Sequence, residues 1–176
     1  MRKADTCNGC LLFQKKVILM DKTNAMRMLD KNKIAYSVFT YDASDGVIDG
    51  VSVAGKVGQD AAFVYKTLVT QGKSKNYFVF VIPVAKELDL KAAAKAVGEK
   101  SVEMIAVKDI NKVTGYIRGG CSPVGMKKPF QTVIDSSANE LDYFFVSGGK
   151  IGIQLQVSPK EIADLIGASF SEITFS

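Results

Sequence analysis

The feature that most constrains the fold is a glycine-rich segment, residues 114–128, that separates two stretches of apolar sequence. It contains four glycines, one proline and one serine, and it ends in Lys127 and Lys128. Glycine permits positive φ and close backbone approach, whereas proline fixes φ and removes a donor, so we predict a long loop here. Such a loop can direct several backbone N–H groups at one oxygen atom. The alternative is an ordinary surface turn between two strands.

Apolar periodicity on either side of this loop predicts a chain that mixes short strands and short helices. Alternating or continuous apolar runs predict strands at 34–41, 62–70, 77–83, 102–107, 131–135, 143–147, 153–156 and 168–175. Helical spacing predicts helices at 24–31, 51–57, 88–97, 108–114 and 159–166, with Thr23 or Asn24 as the cap of the first and Ser158 as the cap of the last. A polar segment at 71–76 joins two of the strands as an antiparallel hairpin, and no βαβ unit repeats. The pattern indicates an α+β fold with a mixed, largely antiparallel sheet.

Composition excludes several kinds of site. The chain of 176 residues contains no histidine, which removes Ser-His and Cys-His catalysis, imidazole metal ligation and a histidine general base. Its cysteines are Cys7, Cys10 and Cys121, and no second Cys or His pair completes a tetrahedral zinc site. We therefore expect no metal and no other cofactor, and we interpret Cys121 as a small packing residue. The net charge of +5 fits a polyanionic partner.

The length of the chain favours one folded domain, and its basic first 20 residues differ from the rest. Residues 1–20 lack a clear helical or strand period, so we predict a flexible N-terminal extension followed by a single domain over residues 21–176. The apolar run at 17–20 is far too short to cross a membrane. The low cysteine content and the missing signal peptide lead us to expect a cytoplasmic protein.

Three positions outside the loop carry groups suited to a binding pocket. Lys66 shares its strand face with Val64 and Leu68, which weakens the alternative of a lysine that extends its ammonium group to solvent. Asp135 ends an apolar strand, where a carboxylate is often only a turn former. The segment Ser-Gly-Gly-Lys at 147–150 predicts either a plain hairpin turn or a second pocket wall rich in backbone donors.

Four segments together resemble the YbaK family of freestanding Cys-tRNA(Pro) deacylases, which are similar to the editing insertion of bacterial prolyl-tRNA synthetases. These segments are Val-Tyr-Lys-Thr-Leu at 64–68, the glycine-rich loop with Ser-Pro-Val-Gly-Met-Lys-Lys at 122–128, Ile-Asp at 134–135 and Val-Ser-Gly-Gly-Lys at 146–150. Their order and spacing fit the family from Lys22 to the C-terminus. Any one of them is a weak signal, but the four together are specific.

The resemblance implies a mixed, barrel-like sheet with flanking helices and a pocket for the aminoacylated 3′ end of tRNA. It also implies that Lys66 is the catalytic lysine and that the chemistry is substrate-assisted. In that chemistry the cysteinyl thiol attacks its own ester carbonyl and releases tRNA, which needs no histidine. The lysines at the ends of the two glycine-containing segments are expected to bind tRNA phosphates, namely Lys127, Lys128 and Lys150. The residues implied to bind the substrate are Tyr41, Gly119, Gly120, Ser122, Pro123, Gly125, Asp135, Ser147 and Gly148.

The function that the resemblance predicts is trans-editing: removal of cysteine from mischarged Cys-tRNA(Pro), alone or beside prolyl-tRNA synthetase. Two positions near the expected pocket mouth depart from the family. Asp49 stands where an aromatic residue is common, and Asp42-Ala43 stands where a histidine is common. The accepted amino acid is therefore less constrained than the fold. The alternatives are a deacylase for alanine or serine and a non-catalytic module that binds a tRNA end or a nucleotide.

Overall fold

The computed structural model describes residues 21–175, which fold into two β-sheets with five α-helices around them. The predicted extension, residues 1–20, lies outside the described residues, together with Cys7 and Cys10. The helices are α1 (Asn24–Lys31), α2 (Gly50–Lys56), α3 (Leu90–Val97), α4 (Val107–Thr114) and α5 (Pro159–Ile166). The strands are β1 (Tyr36–Thr40), β2 (Tyr65–Gly72), β3 (Tyr77–Pro83), β4 (Val102–Met104), β5 (Gln131–Asp135), β6 (Phe144–Ser147), β7 (Ile153–Val157) and β8 (Ser169–Ser171).

The two sheets differ in size and in strand direction. The smaller has the order β1-β7-β6, and its strands are all antiparallel. The larger has the order β4-β2-β3-β5-β8, in which β4, β2 and β3 are antiparallel neighbours while β5 runs parallel to both β3 and β8. The predicted α+β class and the mixed, largely antiparallel pairing are confirmed. The strands remain in two open sheets, however, and do not close into a barrel.

Strand β3 divides the apolar core between the two faces of the larger sheet. Successive side chains of a strand point to opposite faces. Phe78, Phe80 and Ile82 therefore pack against α3. Val79 and Val81 point to the other face. Val79 packs against α4 and the glycine-rich loop. Val81 packs against the smaller sheet. Helices α3 and α4 consequently lie on opposite faces of the larger sheet.

Capping residues fix the ends of the helices. The side chains of Thr23 and Ser158 accept hydrogen bonds from backbone N–H groups in the first turns of α1 and α5, as their sequences predict. Gly98 and Gly115 adopt the left-handed conformation that ends α3 and α4. None of the helices within residues 21–175 is long and apolar enough to cross a bilayer.

Several element boundaries differ from the predicted ones, and the strand predicted at 168–175 is limited to Ser169–Ser171. Two further strands differ because a neighbouring helix takes up part of the predicted range. The strand predicted at 62–70 begins later, because Ala61–Phe63 form a short 3-10 helix before β2, which continues to Gly72. The side chain of Asp60 accepts a hydrogen bond from the N–H of Ala62 and so favours that turn over an extended backbone. The strand predicted at 102–107 ends at Met104, and helix α4 already begins at residue 107.

Candidate functional site

A cavity of about 370 Å³ lies where elements of both sheets meet, and it is the size of a small-ligand pocket. One wall is the first half of β2, and a second is the start of α2 with the residue before it. A third is the glycine-rich loop, and the ends of β6 and β7 complete the enclosure. The lining residues are Tyr41, Ile48, Asp49, Gly50, Val53, Val64, Tyr65, Lys66, Thr67, Leu68, Val84, Arg118, Gly119, Cys121, Ser147 and Gln154.

The part of β2 that lines this cavity has one open backbone edge. Strand β3 pairs with β2 along residues 65–71, whereas β4 pairs on the other side only with residues 70–72. An isolated bridge joins Val64 to Phe145 just before β2 begins. Between these two points, residues 65–68 have no described strand partner on that side. Since a strand directs alternate N–H and C=O groups to each side, this stretch offers backbone hydrogen-bonding groups to a ligand.

Three side-chain oxygens buried in the cavity wall lack a hydrogen-bond partner. They are Tyr41 Oη, Thr67 Oγ1 and Gln154 Oε1, and within residues 21–175 no other buried side-chain N or O atom is unpaired. Leaving a buried polar group unpaired costs about 1–3 kcal/mol, and native folds contain few such groups. All three residues line one cavity, which makes these oxygens candidates for contact with a ligand there.

Two cations border the cavity. Lys66 has a side chain that is 29% exposed, and its Nζ lies 4.0 Å from Oε1 of Glu87, a side chain that is 85% exposed. An ion pair of this length to a solvated carboxylate holds the ammonium group only weakly. Arg118 is exposed in the loop that forms the third wall. The carboxylate of Asp49 is already used, because it accepts the N–H of Ser52 at 3.0 Å and caps α2.

The start of α2 is packed closely enough to fix the second wall. A Cβ atom at Gly50 would lie 2.4 Å from Cγ1 of Val84, so only glycine fits against this side chain. The loop before α2 is held by the ammonium group of Lys56, which donates to Asp45 Oδ1 at 2.7 Å and to the carbonyl of Val47 at 2.9 Å. This lysine therefore holds in place the segment that carries Ile48 to the cavity.

Cys121 is the thiol that the structure places in the cavity wall. It packs against Val69, Val79 and Tyr116. Burial raises the pKa of the Cys121 thiol to about 11, with a smaller opposing effect from a hydrogen bond with Thr114. The thiolate is the reactive form of cysteine, so at neutral pH this side chain is a poor nucleophile.

Tyr116 holds the glycine-rich loop in its conformation. Its hydroxyl donates to the carbonyl oxygen of Val124 at 2.6 Å, and its N–H donates to the Thr114 hydroxyl at 3.0 Å. A Cβ atom at Gly125, where φ is +78°, would lie 2.7 Å from the Tyr116 hydroxyl oxygen. A Cβ atom at Gly149 would lie 2.9 Å from the same ring. The loop and the turn after β6 are thus packed around one aromatic side chain.

Comparison with known proteins assigns this arrangement to a family. A protein of Enterococcus faecalis (strain ATCC 700802 / V583) with the provisional name Cys-tRNA(Pro)/Cys-tRNA(Cys) deacylase EbsC is 45% identical over 153 residues, which are 87% of this chain and 93% of the relative. The aminoacyl-tRNA editing domain family matches residues 49–165. The chain belongs to that family. The matched span contains every residue that lines the cavity except Tyr41 and Ile48.

Solved structures show the same fold. The hypothetical protein APE2540 superposes with a TM-score of 0.80 at 19% identity, over 87% of this chain and 100% of that chain. A protein provisionally described as a trans-editing enzyme for prolyl-tRNA synthetase superposes with a TM-score of 0.76 at 23% identity, over 89% of this chain and 100% of that chain. The resemblance drawn from the sequence is confirmed, and this is the fold of an aminoacyl-tRNA editing domain.

The editing domain brings only part of the predicted substrate-binding set to the cavity wall. Lys66, Tyr41, Gly119 and Ser147 line the cavity. The remaining glycines and the Ser-Pro pair are not among the residues that line the cavity. Those residues are Gly120, Ser122, Pro123, Gly125 and Gly148.

Three of these residues pack against other parts of the protein. Ser122 is fully buried, and its hydroxyl accepts the N–H of Val124 at 3.3 Å. A Cβ atom at Gly120 would lie 3.0 Å from the backbone nitrogen of Ile151. A Cβ atom at Gly148 would lie 2.5 Å from Cγ2 of Ile153. The loop therefore shapes the cavity through Gly119 and Cys121, while its other residues hold it against the turn after β6.

Asp135 is a predicted substrate-binding residue that the structure places outside the cavity wall. Its side chain is buried, and Oδ2 accepts the hydroxyl of Ser137 at 2.6 Å and its N–H at 3.2 Å. Oδ1 accepts the N–H of Ile173 at 3.2 Å and the hydroxyl of Thr174 at 3.3 Å. The carboxylate thus joins the end of β5 to the C-terminal segment of the editing domain.

Sequence reasoning missed three polar residues of the wall. Thr67 follows the predicted lysine directly, so the motif that contains Lys66 already held a signal for it. Arg118 lies inside the glycine-rich segment and is its only arginine. Gln154 alternates with apolar neighbours in β7, but the same pattern fits a solvent-exposed strand face equally well. That face could be assigned to a cavity only after β7 was known to lie between β1 and β6.

Proposed function

We propose that this editing domain removes cysteine from mischarged Cys-tRNA(Pro) as a freestanding enzyme. The observation that carries the proposal is that one cavity is lined by Lys66 and by the three residues whose buried side-chain oxygens are unpaired. An aminoacyl ester complements these groups. Its α-ammonium group can donate a hydrogen bond to the side-chain oxygen of Gln154, which is only an acceptor. Its ester and ribose oxygens can accept hydrogen bonds from the hydroxyls of Tyr41 and Thr67. Cysteine as the amino acid is supported by the name of the 45% identical relative.

The nucleophile in this proposal is the thiol of the substrate itself. The chain offers no histidine base, Asp49 is used as a helix cap, and Cys121 stays protonated at neutral pH. The substrate sulfur attacks its own ester carbonyl carbon, so that a C–S bond forms and the C–O bond to the ribose breaks. The thiol proton ends on the departing ribose oxygen, and the products are free tRNA and a cyclic cysteine thiolactone that water can open.

The protein contributes position and charge to this reaction rather than a covalent group. In this proposal, binding in the cavity holds the substrate sulfur close to the carbonyl carbon. The loss of conformational freedom then accompanies binding and no longer adds to the barrier of the chemical step. Negative charge develops on the carbonyl oxygen during the attack. The Lys66 ammonium group and the backbone N–H groups at the open edge of β2 are the proposed donors to that oxygen.

The proposed partners follow from the charge around the loop. Lys127, Lys128 and Lys150 are exposed and are proposed to contact acceptor-end phosphates. Prolyl-tRNA synthetase is a proposed partner, since one structure of the same fold is described as a trans-editing enzyme for that synthetase. The proposed place of action is the cytoplasm, where tRNA is charged and used.

The choice of substrate tests the mechanism most directly. In single-turnover assays we expect Cys-tRNA(Pro) to be cleared while Ser-tRNA(Pro) and Ala-tRNA(Pro) survive. Serine and cysteine are nearly the same size, and pocket packing discriminates poorly between such pairs, so the difference must come from the thiol. Equal clearance of the serine ester would show that an activated water is the nucleophile. Clearance of none of the three would leave a binding module as the function.

A substitution at Thr67 tests whether the unpaired oxygens serve the ligand. Thr67→Val keeps the shape of the side chain but removes a hydroxyl that has no partner in the fold. We expect the thermal midpoint to stay level or rise, while kcat/KM falls roughly three- to tenfold, the value of one lost hydrogen bond.

Thr70→Val is the matched control for this prediction, because it makes the same change in the same strand. The Thr70 hydroxyl is fully buried and donates to the carbonyl of Phe78 at 3.2 Å, so its loss should lower the thermal midpoint and spare kcat/KM. A Thr67→Val variant that is destabilised and fully active would assign the Thr67 hydroxyl to the fold.

A further inference from the structure

We infer that the outward face of α4 binds phosphates of the tRNA acceptor stem, an inference that rests on the proposed function. Lys108 and Lys112 are both exposed and lie four residues apart, so they project from the same side of the helix. Lys127 extends this row beyond the helix end, since its side chain lies against Gly115 and its N–H donates to the Thr114 carbonyl at 3.0 Å. We call Lys108, Lys112 and Lys127 the α4 lysine row.

The α4 lysine row leads towards the substrate cavity. Helix α4 has eight residues and is therefore about 12 Å long. Immediately after it, the chain passes through Gly115 and Tyr116 to Arg118 and Gly119, which line the cavity. A tRNA whose 3′ end enters the cavity has its paired acceptor stem outside, and the α4 lysine row is a cationic surface at the helix end from which the chain continues into the cavity wall.

The lysines of the row have no carboxylate partner in the part of the chain that the structure describes. The ion pairs within residues 21–175 join Lys22 to Asp30, Lys56 to Asp45 and Lys66 to Glu87. Three like charges along one line repel one another, and an anionic strand relieves that repulsion. A row of ammonium groups suits a phosphate backbone, which is contacted without regard to base sequence.

The second cavity of the editing domain is a weaker candidate for this partner. It measures about 450 Å³ and lies at the other end of α4, where Ala106 and Asp109 form part of its wall. Its lysines, Lys73 and Lys75, are balanced by the carboxylates of Glu103 and Asp109. A wall with equal numbers of positive and negative side chains does not attract a polyanion, whereas the three lysines of the α4 lysine row outnumber Asp109, the one acidic residue of α4.

Helix α3 supplies a matched control on the opposite face of the larger sheet. It also has eight residues, and Lys91 and Lys95 occupy its second and sixth positions, as Lys108 and Lys112 do in α4. Both pairs are exposed, and both helices end at a left-handed glycine. Removing either pair therefore causes the same loss of net charge and the same change at the helix terminus. The two pairs differ in their position relative to the cavity.

The test compares K108A/K112A with K91A/K95A in binding and in catalysis. For uncharged tRNA(Pro), we expect K108A/K112A to weaken binding about tenfold at low salt and to lower the slope of log K against log salt by roughly 1.5, the share of two phosphate contacts. The control double variant should bind as the wild type does. Deacylation of a short cysteinylated CCA fragment, which lacks the stem, should be unchanged in both variants.

Several outcomes would overturn the inference, and they differ from failure of the proposed function. If K108A/K112A bound tRNA with the affinity and salt slope of K91A/K95A, the α4 lysine row would not contact RNA. The same conclusion would follow if K108A/K112A lost binding only to anionic lipid vesicles. A wild-type protein that binds tRNA through this row but clears no aminoacyl ester would contradict the proposed function and leave the RNA-binding surface intact.

Discussion

Lys66→Ala should lower the rate of single-turnover Cys-tRNA(Pro) deacylation about a hundredfold, which corresponds to ~3 kcal/mol of transition-state stabilisation. Lys66 lines the cavity, and its ammonium group is the proposed donor to the carbonyl oxygen that becomes negative during thiol attack. A donor of this kind acts mainly in the transition state, so the loss should appear in the rate of the chemical step rather than in tRNA affinity.

The fold should tolerate this substitution. The one ion pair of Lys66 is a 4.0 Å contact with a carboxylate whose side chain is 85% exposed, and such pairs contribute about 0–1 kcal/mol. The thermal melt of Lys66→Ala should therefore stay close to that of the wild type. A lysine that only solvates a strand face would leave both the melt and the rate unchanged.

Two further variants test whether the ion pair with Glu87 and the shape of the cationic group contribute to the effect of Lys66. Glu87→Gln removes the ion pair and keeps the ammonium group, so deacylation should continue at nearly the wild-type rate. Lys66→Arg keeps the charge but replaces a compact ammonium with a planar fork, which should not fit the same position in a cavity of this size. Full activity of Lys66→Ala would remove this residue from the chemistry and with it the main reason to assign catalysis to this cavity.

Local sequence signals predicted the elements of this fold well. Side chains that cap helices act over three residues, and the predicted caps Thr23 and Ser158 are found in those roles. The hairpin of β2 and β3 is also local, because its turn joins two continuous apolar runs. The predicted start of β2 at residue 62 was wrong for an equally local reason, because Asp60 stabilises a 3-10 turn at Ala61–Phe63.

The separation into two open sheets is not a local property, and the sequence did not predict it. In the smaller sheet Tyr36 pairs with Val157, and in the larger one Phe78 pairs with Gln131. Such pairings depend on which faces are buried together rather than on neighbouring residues. An apolar run such as β3 shows that both faces are covered, but it does not say by which elements.

The same distinction explains which predicted site residues the structure brings to the cavity. Lys66 stood out because a charged residue in an apolar strand is locally unusual. Gly119 and Ser147 were implied by motifs, and they line the cavity together with Tyr41. Gln154 could not be recognised, because an unpaired buried oxygen is a property of the surrounding structure. Asp135 was placed with the substrate by its motif, whereas its contacts join it to a segment nearly 40 residues later in the chain.

Asp135→Ala should destabilise the protein by about 3 kcal/mol, in contrast to Lys66→Ala, and should lower the thermal midpoint by roughly 6–12 °C. Its carboxylate is 2% exposed and accepts the N–H of Ile173 and the hydroxyl of Thr174, so its removal leaves buried donors without partners. It also releases the hydroxyl of Ser137, which it binds at 2.6 Å. Differential scanning calorimetry of the variant measures the effect.

Activity per folded molecule should survive this change, because no atom of Asp135 belongs to the cavity wall. Deacylation measured well below the lowered midpoint should therefore proceed at close to the wild-type rate. Asp142→Ala is the control for loss of an acidic side chain, since Asp142 is exposed and its replacement should change stability by less than about 0.5 kcal/mol. An Asp135→Ala protein that melts normally but no longer deacylates Cys-tRNA(Pro) would show that this carboxylate acts on the substrate, as its motif implied. A variant that melts early and retains its rate would establish that Asp135 joins β5 to the C-terminal segment and that the chemistry depends on the cavity bordered by Lys66.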